Sequence, residues 1–345
     1  MAATTRPAAL STNAFAAPPF LAADVGGTHV RIGRVQASGD PARPATILEY
    51  RKYRCADHPS LSAILEAFNH ATGDAPAREC VIASAGFPLS DGSIITANLP
   101  WPLSPTRIRD DLGLDHVYLV NDFEAVAHAA SYVDASEVVQ LAGPAQAPRG
   151  PTLVLGPGTG LGAAVWIPTD KGPVVLPTEA GQAALAAVTD LEMALVRQMH
   201  REHSHVSVEH ALSGPGLMNL YRALCAIRCA TPAHATPGDI TAAALDASDP
   251  LALESLQVFC GLLGSTVGDM ALLYGIHGGI HLAGGILPQI RQFLIDSSFV
   301  ARFLDKGPMR AALERIPVKL VEHGQLGVLG AASWFLGKTG AGQPA

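Results

Sequence analysis

Cysteine is scarce in this chain, and its few occurrences follow no recognisable pattern. The 345 residues include five cysteines, which lack the paired Cys-x-x-Cys spacing of a metal site: Cys55, Cys80, Cys225, Cys229 and Cys260. We expect buried free thiols, as in the reducing cytoplasm. Because Cys225 and Cys229 lie four residues apart on a predicted helix, their side chains can touch. The sequence therefore predicts a cytoplasmic protein without disulfides.

Long apolar runs and excess positive charge are also lacking. No stretch approaches roughly 20 uninterrupted apolar residues, the length of a membrane helix, and residues 1–19 lack the continuous apolar core of a signal peptide. The formal net charge of −7 argues against a broad nucleic-acid footprint. With 48% hydrophobic and 15% charged residues, the chain has a globular composition and enough length for two domains. We expect a disordered tail at 1–19, and neither a membrane nor a nucleic-acid partner.

Two common catalytic signatures are missing as well. The chain has no Gly-x-Ser-x-Gly motif, which excludes the simplest hydrolase interpretation. The segment HREHSHVSVEH contains His200, His203, His205 and His210, but their spacing matches no recognised zinc signature. We predict that this segment is a solvated, histidine-rich helix end.

Glycine, in contrast, is abundant and clusters at the ends of apolar runs. The segment LAADVGGTHVRIGRV, residues 21–35, is an apolar run followed by an acid, two glycines and a threonine. A dinucleotide fold or a P-loop requires a helix directly after the glycines. Here the following residues, HVRIGRV, alternate between apolar and other residues, which is typical of a strand. The segment therefore predicts a β-hairpin with Gly26-Gly27-Thr28 at its turn.

A similar pattern occurs in PTLVLGPGTGLGAAVWI, residues 151–167. An apolar run is followed by a glycine-rich turn with a threonine, Gly158-Thr159-Gly160, and then by a second apolar run. A third cluster, Gly284-Gly285, lies between a predicted strand and a predicted helix start. Glycine turns expose backbone N–H donors that suit a polyphosphate, and a helix start favours anions. We expect the two hairpin turns to grip a triphosphate, with Gly284-Gly285 near the nucleoside. For each cluster the alternative is an ordinary tight turn.

Two acids lie at predicted strand ends. Asp24 precedes the first turn, where we expect it to hold hydrated Mg²⁺; the alternative is a turn-capping aspartate. In LVNDFEAVAHA, Asn121 and Asp122 end a strand, at the edge where α/β sheets carry their chemistry. Asp122 can accept a hydroxyl proton while that oxygen attacks a γ-phosphate. The alternative is that Asp122 only caps the following helix.

Six segments together resemble the bacterial glucokinase family, within the superfamily of sugar kinases, actin and heat-shock ATPases. They span residues 20 to 337 and read ADVGGTHVRIG, LVNDFEAVAHA, LGPGTGLGAAV, LSGPGLMNLYRAL, GGIHLAGGILP and DKGPMRAALERIPV. The resemblance implies transfer of the γ-phosphoryl group of ATP to the 6-hydroxyl of glucose, with Mg²⁺, by a protein that is commonly a homodimer.

The resemblance also implies an α/β fold with two actin-like (ribonuclease H-like) domains flanking a deep cleft. The small domain would comprise residues 20–132 plus 324–338 and the large domain residues 133–323, with a C-terminal tail at 339–345. A Pro/Gly-rich connector at 143–151 offers another plausible boundary.

The family's site residues map onto this chain one by one. The nucleotide motifs match Ala23, Asp24, Val25, Gly26, Gly27, Thr28, Gly158, Thr159, Gly160, Gly284 and Gly285. Asp122 matches the catalytic base. The sugar contacts match Asn121, Asp122, Glu179 and Glu209, and Asn98 in TANLPW lies near an Asn-x-x-Trp pattern that lines the pocket.

Three positions depart from the family pattern. Gln182 stands where a sugar-binding histidine is expected, His29 replaces an asparagine, and Ala180 replaces a glycine. They leave open a kinase for a different hexose, or a catalytically weak regulator that binds sugar or nucleotide. A sugar-responsive repressor of the related ROK class is disfavoured, because the short tail before Phe20 cannot supply a helix-turn-helix and the cysteine-rich zinc motif of ROK kinases is absent.

Overall fold

The computed structural model describes residues 18–40, 43–73, 77–88, 94–95, 99–130, 132–133, 135–146 and 148–339. These residues form two main β-sheets with helices packed against them, which is the α/β class that the sequence predicts. The predicted tails at 1–19 and 339–345 lie almost entirely outside the described residues.

The first sheet carries the first glycine turn. The strands of this region are β1 (Phe20–Val25), β2 (His29–Asp40), β3 (Arg43–Arg54), β4 (Glu79–Ser84), a ribbon of β5 (Phe87–Pro88) and β6 (Ile94–Ile95), and β7 (His116–Asn121). The sheet order is β3-β2-β1-β4-β7; β1 to β3 are antiparallel, whereas β1, β4 and β7 run parallel. The predicted hairpin of β1 and β2 is confirmed.

Two helices, α1 (Leu61–Thr72) and α2 (Pro105–Leu112), pack beside this sheet. Each begins at a serine whose hydroxyl accepts a backbone N–H of the first turn, and each ends at a left-handed glycine, Gly73 or Gly113. Their buried side chains, with Phe68 the largest, form one core with the inward residues of β1, β2 and β4.

The second sheet repeats the pattern of the first and adds one strand. Its strands are β8 (Val138–Ala142), β9 (Thr152–Pro157), β10 (Leu161–Ile167), β11 (Val174–Thr178), β12 (Gly279–Leu282) and β13 (Val318–Val321). The order is β11-β10-β9-β12-β13-β8, in which β9 to β11 are antiparallel and β9, β12 and β13 are parallel. The second predicted hairpin, β9–β10, is therefore confirmed. The connector at 143–151 joins β8 to β9 within this sheet and does not separate the two sheets.

The helices of the second half enclose the largest hydrophobic core. They are α4 (Asp190–Met199), α5 (Gly214–Ile227), α6 (Pro237–Leu245), α7 (Pro250–Leu273), α8 (Arg291–Asp296), α9 (Phe299–Leu304) and α10 (Arg310–Leu313). Helix α7 is long and apolar enough to cross a membrane, but 72% of its most apolar window is buried inside the protein. It packs against α5, α6 and α9, as a core helix does.

Two helices connect the sheets by crossing between them. Helix α3 (Asp122–Ala130) follows β7 of the first sheet but packs on β9, β10 and β11 of the second. Helix α11 (Leu326–Thr339) follows β13 of the second sheet but packs on β1, β3 and β4 of the first. The two helices also pack against each other. The start of α3 is thereby fixed at the junction of the sheets, while the division at 132/133 and 323/324 stays a prediction.

Candidate active site

The first glycine turn joins β1 to β2 and has an open backbone. The N–H of Gly26 donates to the carbonyl of His29 at 3.0 Å, and the carbonyl of Thr28 accepts the N–H of Cys55 at 3.0 Å. A Cβ placed on Gly26 would meet nothing closer than the His29 oxygen at 3.5 Å, and Thr28 is exposed. A hollow of about 330 Å³ borders the turn. The turn is therefore accessible to a ligand.

Asp24 faces the junction of the sheets beside this turn. The antiparallel register sets it opposite Arg31, whose Nη1 lies 3.2 Å from Asp24 Oδ2. A Cβ on Gly327, at the start of α11, would lie 2.5 Å from the carboxyl carbon of Asp24. The acid therefore abuts a helix N-terminus, where a negative charge is favoured. The pKa of Asp24 is raised above its ordinary value, because burial outweighs the lowering effect of the Arg31 guanidinium.

Asn121 makes the N-terminal cap of α3. The carboxamide oxygen of Asn121 accepts the N–H groups of Phe123 and Glu124, both at 3.0 Å, as an N-cap residue does. Asp122 Oδ1 accepts only the N–H of Phe123, at 2.9 Å, among the described hydrogen bonds. The alternative that Asp122 is the simple helix cap is therefore wrong.

Asp122 is also electrostatically linked to both halves of the chain. The pKa of Asp122 is raised to about 6, chiefly by burial and also by the charges of Asp24 and Glu179, against the lowering effect of backbone hydrogen bonds. Asp24 belongs to the first sheet, and Glu179 follows β11 of the second. Asp24 and Glu179 therefore each lie within electrostatic range of the Asp122 carboxyl group.

The second glycine turn adjoins the same junction. The N–H of Gly158 donates to the carbonyl of Gly160 at 2.7 Å, and the N–H of Gly214, the first residue of α5, donates to the carbonyl of Gly158 at 2.8 Å. Thr159 is exposed. A Cβ on Gly162 would lie 1.8 Å from the ring of Phe123. Glycine at 162 therefore lets β10 approach the residue directly after Asp122.

Three predicted sugar contacts form a wall beside this turn. Glu179 precedes a short 3-10 turn, residues 180–182. Glu209 Oε2 accepts the N–H of Leu161 at 2.8 Å, and Glu209 Oε1 accepts the Gln182 amide at 3.3 Å. A Cβ on Gly160 would lie 2.4 Å from Glu209 Oε2. The wall of Glu179, Gln182 and Glu209 therefore reaches from the second glycine turn towards Asp122.

The third glycine cluster adjoins the second turn and lies directly before a helical segment. Gly284 has a φ of 97°, and a Cβ on it would lie 2.5 Å from the carbonyl oxygen of Pro157. Helical structure begins only at Leu287, as a 3-10 turn, and α8 begins at Arg291. The left-handed Gly284 and the open Gly285 leave a loop before the first helical hydrogen bonds. The glycines therefore precede a helical segment, as the sequence predicts, and this segment opens with a 3-10 turn whose N-cap is Ile286.

Sequence reasoning missed Arg31 and misjudged Cys229. The β1–β2 hairpin pairs Val25 with Val30, and the antiparallel register then sets Asp24 opposite Arg31. The position of the glycine turn in the sequence was therefore sufficient to predict this ion pair. Cys229 is exposed, because it follows the end of α5 with a φ of 56°, whereas the other four cysteines are buried and all five are free.

Two further sequence predictions concern Asn98 and the histidine-rich segment. Asn98 lies outside the described residues. In the part of the chain that the structure describes, no group of three or more His, Cys, Asp or Glu side chains could hold a metal ion. The histidine-rich segment follows α4, and His203 and His210 stack with ring centroids 4.6 Å apart.

Comparison with known proteins gives a consistent result. A family model described as Glucokinase matches residues 21–338. The chain is 58% identical over 322 residues to a "glucokinase-like protein" of Xylella fastidiosa strain 9a5c, with 93% of this chain and 96% of that protein covered. It is 36% identical to a glucokinase of Saccharophagus degradans, with 92% and 98% covered.

Solved structures show the same fold. A glucokinase from an Antarctic psychrotroph has a TM-score of 0.78 at 35% identity, with 92% of this chain and 98% of that chain covered. A Balamuthia mandrillaris glucokinase in complex with glucose has a TM-score of 0.74 at 21% identity, covering 93% and 94%. A ROK family glucokinase from Streptomyces griseus, in complex with glucose and AMPPNP, has a TM-score of 0.62 at 20% identity, covering 92% and 98%. The actin-like α/β fold that the sequence predicts is confirmed.

Proposed function

Since this chain belongs to the glucokinase family, we propose that it transfers the γ-phosphoryl group of ATP to the 6-hydroxyl of glucose. The observation that carries the proposal is the setting of Asp122. This carboxyl group lies at the end of β7, is coupled to acids from both halves of the chain, and has its pKa raised to about 6. A general base with a pKa near the working pH is effective in proton transfer.

The three glycine clusters would hold the nucleotide. Gly26, Gly158 and Gly285 have no atom within 3.4 Å of an added Cβ, so their backbones are open to phosphate oxygens. The exposed hydroxyls of Thr28 and Thr159 add two donors. Ala23, Val25, Gly27, Gly160 and Gly284 would complete this nucleotide site.

Asp24 would hold Mg²⁺ through its carboxylate oxygens, the type of ligand that this ion prefers, and the ion would keep several of its waters. The residues fit this ion, because Asp24 lies beside the first turn with its side chain 20% exposed. Bound Mg²⁺ would neutralise charge on the phosphates. Arg31, which pairs with Asp24, would keep the excess negative charge of this region low.

The sugar would lie against the wall of Glu179, Gln182 and Glu209. Asn121 and Asn98 would add contacts, the former through its amide nitrogen because its oxygen caps α3. Asp122 would accept the proton of the 6-hydroxyl while that oxygen forms the new bond to phosphorus and the bond to the leaving ADP oxygen breaks. We also infer a cytoplasmic homodimer from the family resemblance.

A second candidate is a kinase for a different hexose, or a weakly active regulator that binds sugar or nucleotide. Gln182 favours it, and so does the name "glucokinase-like" of the 58% identical relative. An amide can donate and accept hydrogen bonds but cannot carry a charge as a histidine can.

A coupled assay of ADP release with glucose, mannose, fructose and glucosamine distinguishes these functions. We expect saturable turnover that is highest with glucose. Turnover with another hexose alone would reassign the substrate. If no hexose were phosphorylated, the kinase proposal would fail, and calorimetry with glucose and with ATP would then test the regulator.

Replacing Gln182 with alanine should raise KM for glucose by roughly ten- to a hundred-fold, with a smaller change in kcat. The substitution removes one sugar contact and the donor to Glu209 Oε1, and a lost polar contact of this kind costs about 1–3 kcal/mol. Steady-state kinetics measure the effect. The control is Gln292→Ala, an exposed glutamine on α8 that bonds Asp296. Equal KM values in the two variants would remove Gln182 from the sugar site.

A further inference from the structure

Residues 206–209 and 181–185 are held together by backbone hydrogen bonds. The N–H of Leu185 donates to Val206 at 3.0 Å, that of Val208 to Ala183 at 2.9 Å, and that of Glu209 to Gly181 at 2.8 Å. Ala184 and Ser207 form an antiparallel bridge between the two segments. This pairing aligns Glu209 with Gln182, so the geometry of the wall depends on the conformation of residues 206–210.

The ring of His210 closes a turn at the end of this segment. Its Nδ1 accepts the backbone N–H of Ser207 at 3.0 Å and lies 3.1 Å from the Ser207 hydroxyl. The N–H of His210 donates back to the carbonyl of Ser207 at 3.1 Å. Because Nδ1 accepts an N–H, it carries no proton, and the proton of the neutral ring is on Nε2. We call residues 207–210 the Glu209 turn.

Two further bonds tie the Glu209 turn to α5. The amide of Asn219 donates to the carbonyl of His210 at 3.1 Å, and the hydroxyl of Ser213 donates to the carbonyl of Glu209 at 2.8 Å. These bonds fix the far end of the turn to a buried helix. At the Ser207 end, the described hydrogen bonds that close the turn all join Ser207 to His210.

We propose that neutral His210 is a positioning residue of the sugar site, which holds Glu209 in place through the Glu209 turn, and that protonation of its ring opens the turn and weakens sugar binding. This inference rests on the proposed function. An imidazolium carries N–H groups on both nitrogens and cannot accept a hydrogen bond. The Ser207 N–H would then face a second N–H, and the turn would lose the bond that closes it.

Burial, together with the neighbouring histidines, lowers the pKa of His210 and favours a neutral ring near pH 7. Burial lowers the pKa of His210, and His203, which stacks on it, and His205 lower it further, whereas Glu209 raises it. The closed turn therefore persists at neutral pH and is lost as the pH falls below the ordinary histidine value of 6.5. His205 differs, because its Nε2 lies 2.9 Å from the carbonyl of Gln182. Nε2 can donate this hydrogen bond both from a neutral ring with its proton on Nε2 and from a protonated ring.

Glucose binding measured by calorimetry at pH 7.5 and pH 5.5 tests the proposal. In His210→Asn the amide oxygen can accept the Ser207 N–H but does not titrate, so we expect affinity at pH 7.5 within about threefold of the unmodified protein. His210→Ala leaves the Ser207 N–H without this acceptor and should bind about tenfold more weakly at pH 7.5. Between pH 7.5 and 5.5 the unmodified protein should lose more affinity than His210→Asn does. Protonation of Asp122 occurs in both proteins, so the difference between them reports on residue 210.

A second measurement on the unmodified protein does not depend on glucose. The backbone amide signal of Ser207, followed by NMR, should shift along the titration curve of the His210 ring. The same signal should stay still in His210→Asn, whereas His70→Ala, which removes an exposed histidine on α1, should titrate as the unmodified protein does. Equal loss of affinity in the unmodified protein and His210→Asn, or a Ser207 amide that ignores the His210 titration, overturns the proposal. Absence of glucose binding by the unmodified protein would instead count against the proposed function, and the NMR titration would still decide the role of His210 in the turn.

Discussion

Replacing Asp122 with asparagine is expected to lower kcat for hexose phosphorylation by about 10²–10⁴-fold, the usual contribution of a general base. Asparagine keeps the size of the side chain and can keep the oxygen that accepts the Phe123 N–H at 2.9 Å. It removes the negative charge of the carboxylate and, with it, the ability to take a proton. KM for ATP should change little, because the proposed nucleotide contacts lie on the glycine turns.

The pH profile of the unmodified protein provides an independent check of this role. A base must be deprotonated to act, and the pKa of Asp122 is raised to about 6. Activity should therefore fall as the pH drops below about 6. At saturating glucose, where weaker sugar binding no longer limits the rate, the fall in kcat should follow the protonation of Asp122. Asp110→Asn is the matched control, since Asp110 is an exposed acid on α2 that pairs with Arg109. A near-normal kcat in Asp122→Asn would exclude Asp122 as the base.

Much of the fold could be predicted because its signals are local. The two-residue alternation after the first glycine turn and the second apolar run after the other turn are sufficient to predict hairpins, and both hairpins formed as expected. The apolar side chains Phe123, Val126, Ala127 and Ala130, spaced for one helix face, pack together against Val154 and Ala164. The spacing of these four residues is typical of one helix face, but it does not indicate what that face packs against.

The rest of the site depends on contacts between distant parts of the chain. The coupling of Asp122 to Glu179, 57 positions later, follows from the crossing of α3 onto the second sheet and leaves no local pattern. The approach of Gly327 to Asp24 joins the two ends of the chain in the same way. Local reasoning predicted a helix start after Gly284-Gly285, but it did not indicate that the helix opens as a 3-10 turn or that Gly284 is left-handed.

The crossing of α3 and α11 leads to the second large prediction, which concerns stability. We expect Gly330→Ala to lower the free energy of unfolding by about 3 kcal/mol, towards the upper end of the usual cost of overpacking. An added Cβ would lie 1.9 Å from the carbonyl oxygen of Ala125 and 2.3 Å from its carbonyl carbon. These are backbone atoms of a buried helix, so no side-chain rotation can relieve the clash, and the two helices must separate.

Gly337→Ala on the same helix is the matched control, because a Cβ there meets nothing within 4 Å. Alanine is the better helix former by up to about 1 kcal/mol, so this variant should melt at the same temperature or slightly higher. Thermal unfolding followed by circular dichroism should show Tm lower by roughly 5 °C or more for Gly330→Ala. Because Ala125 is only one turn from Asp122, kcat of the folded variant should also fall. If Gly330→Ala and Gly337→Ala had the same Tm, the close approach of α3 and α11 would be wrong. The junction that places Asp24 and Glu179 near Asp122 would then be wrong as well.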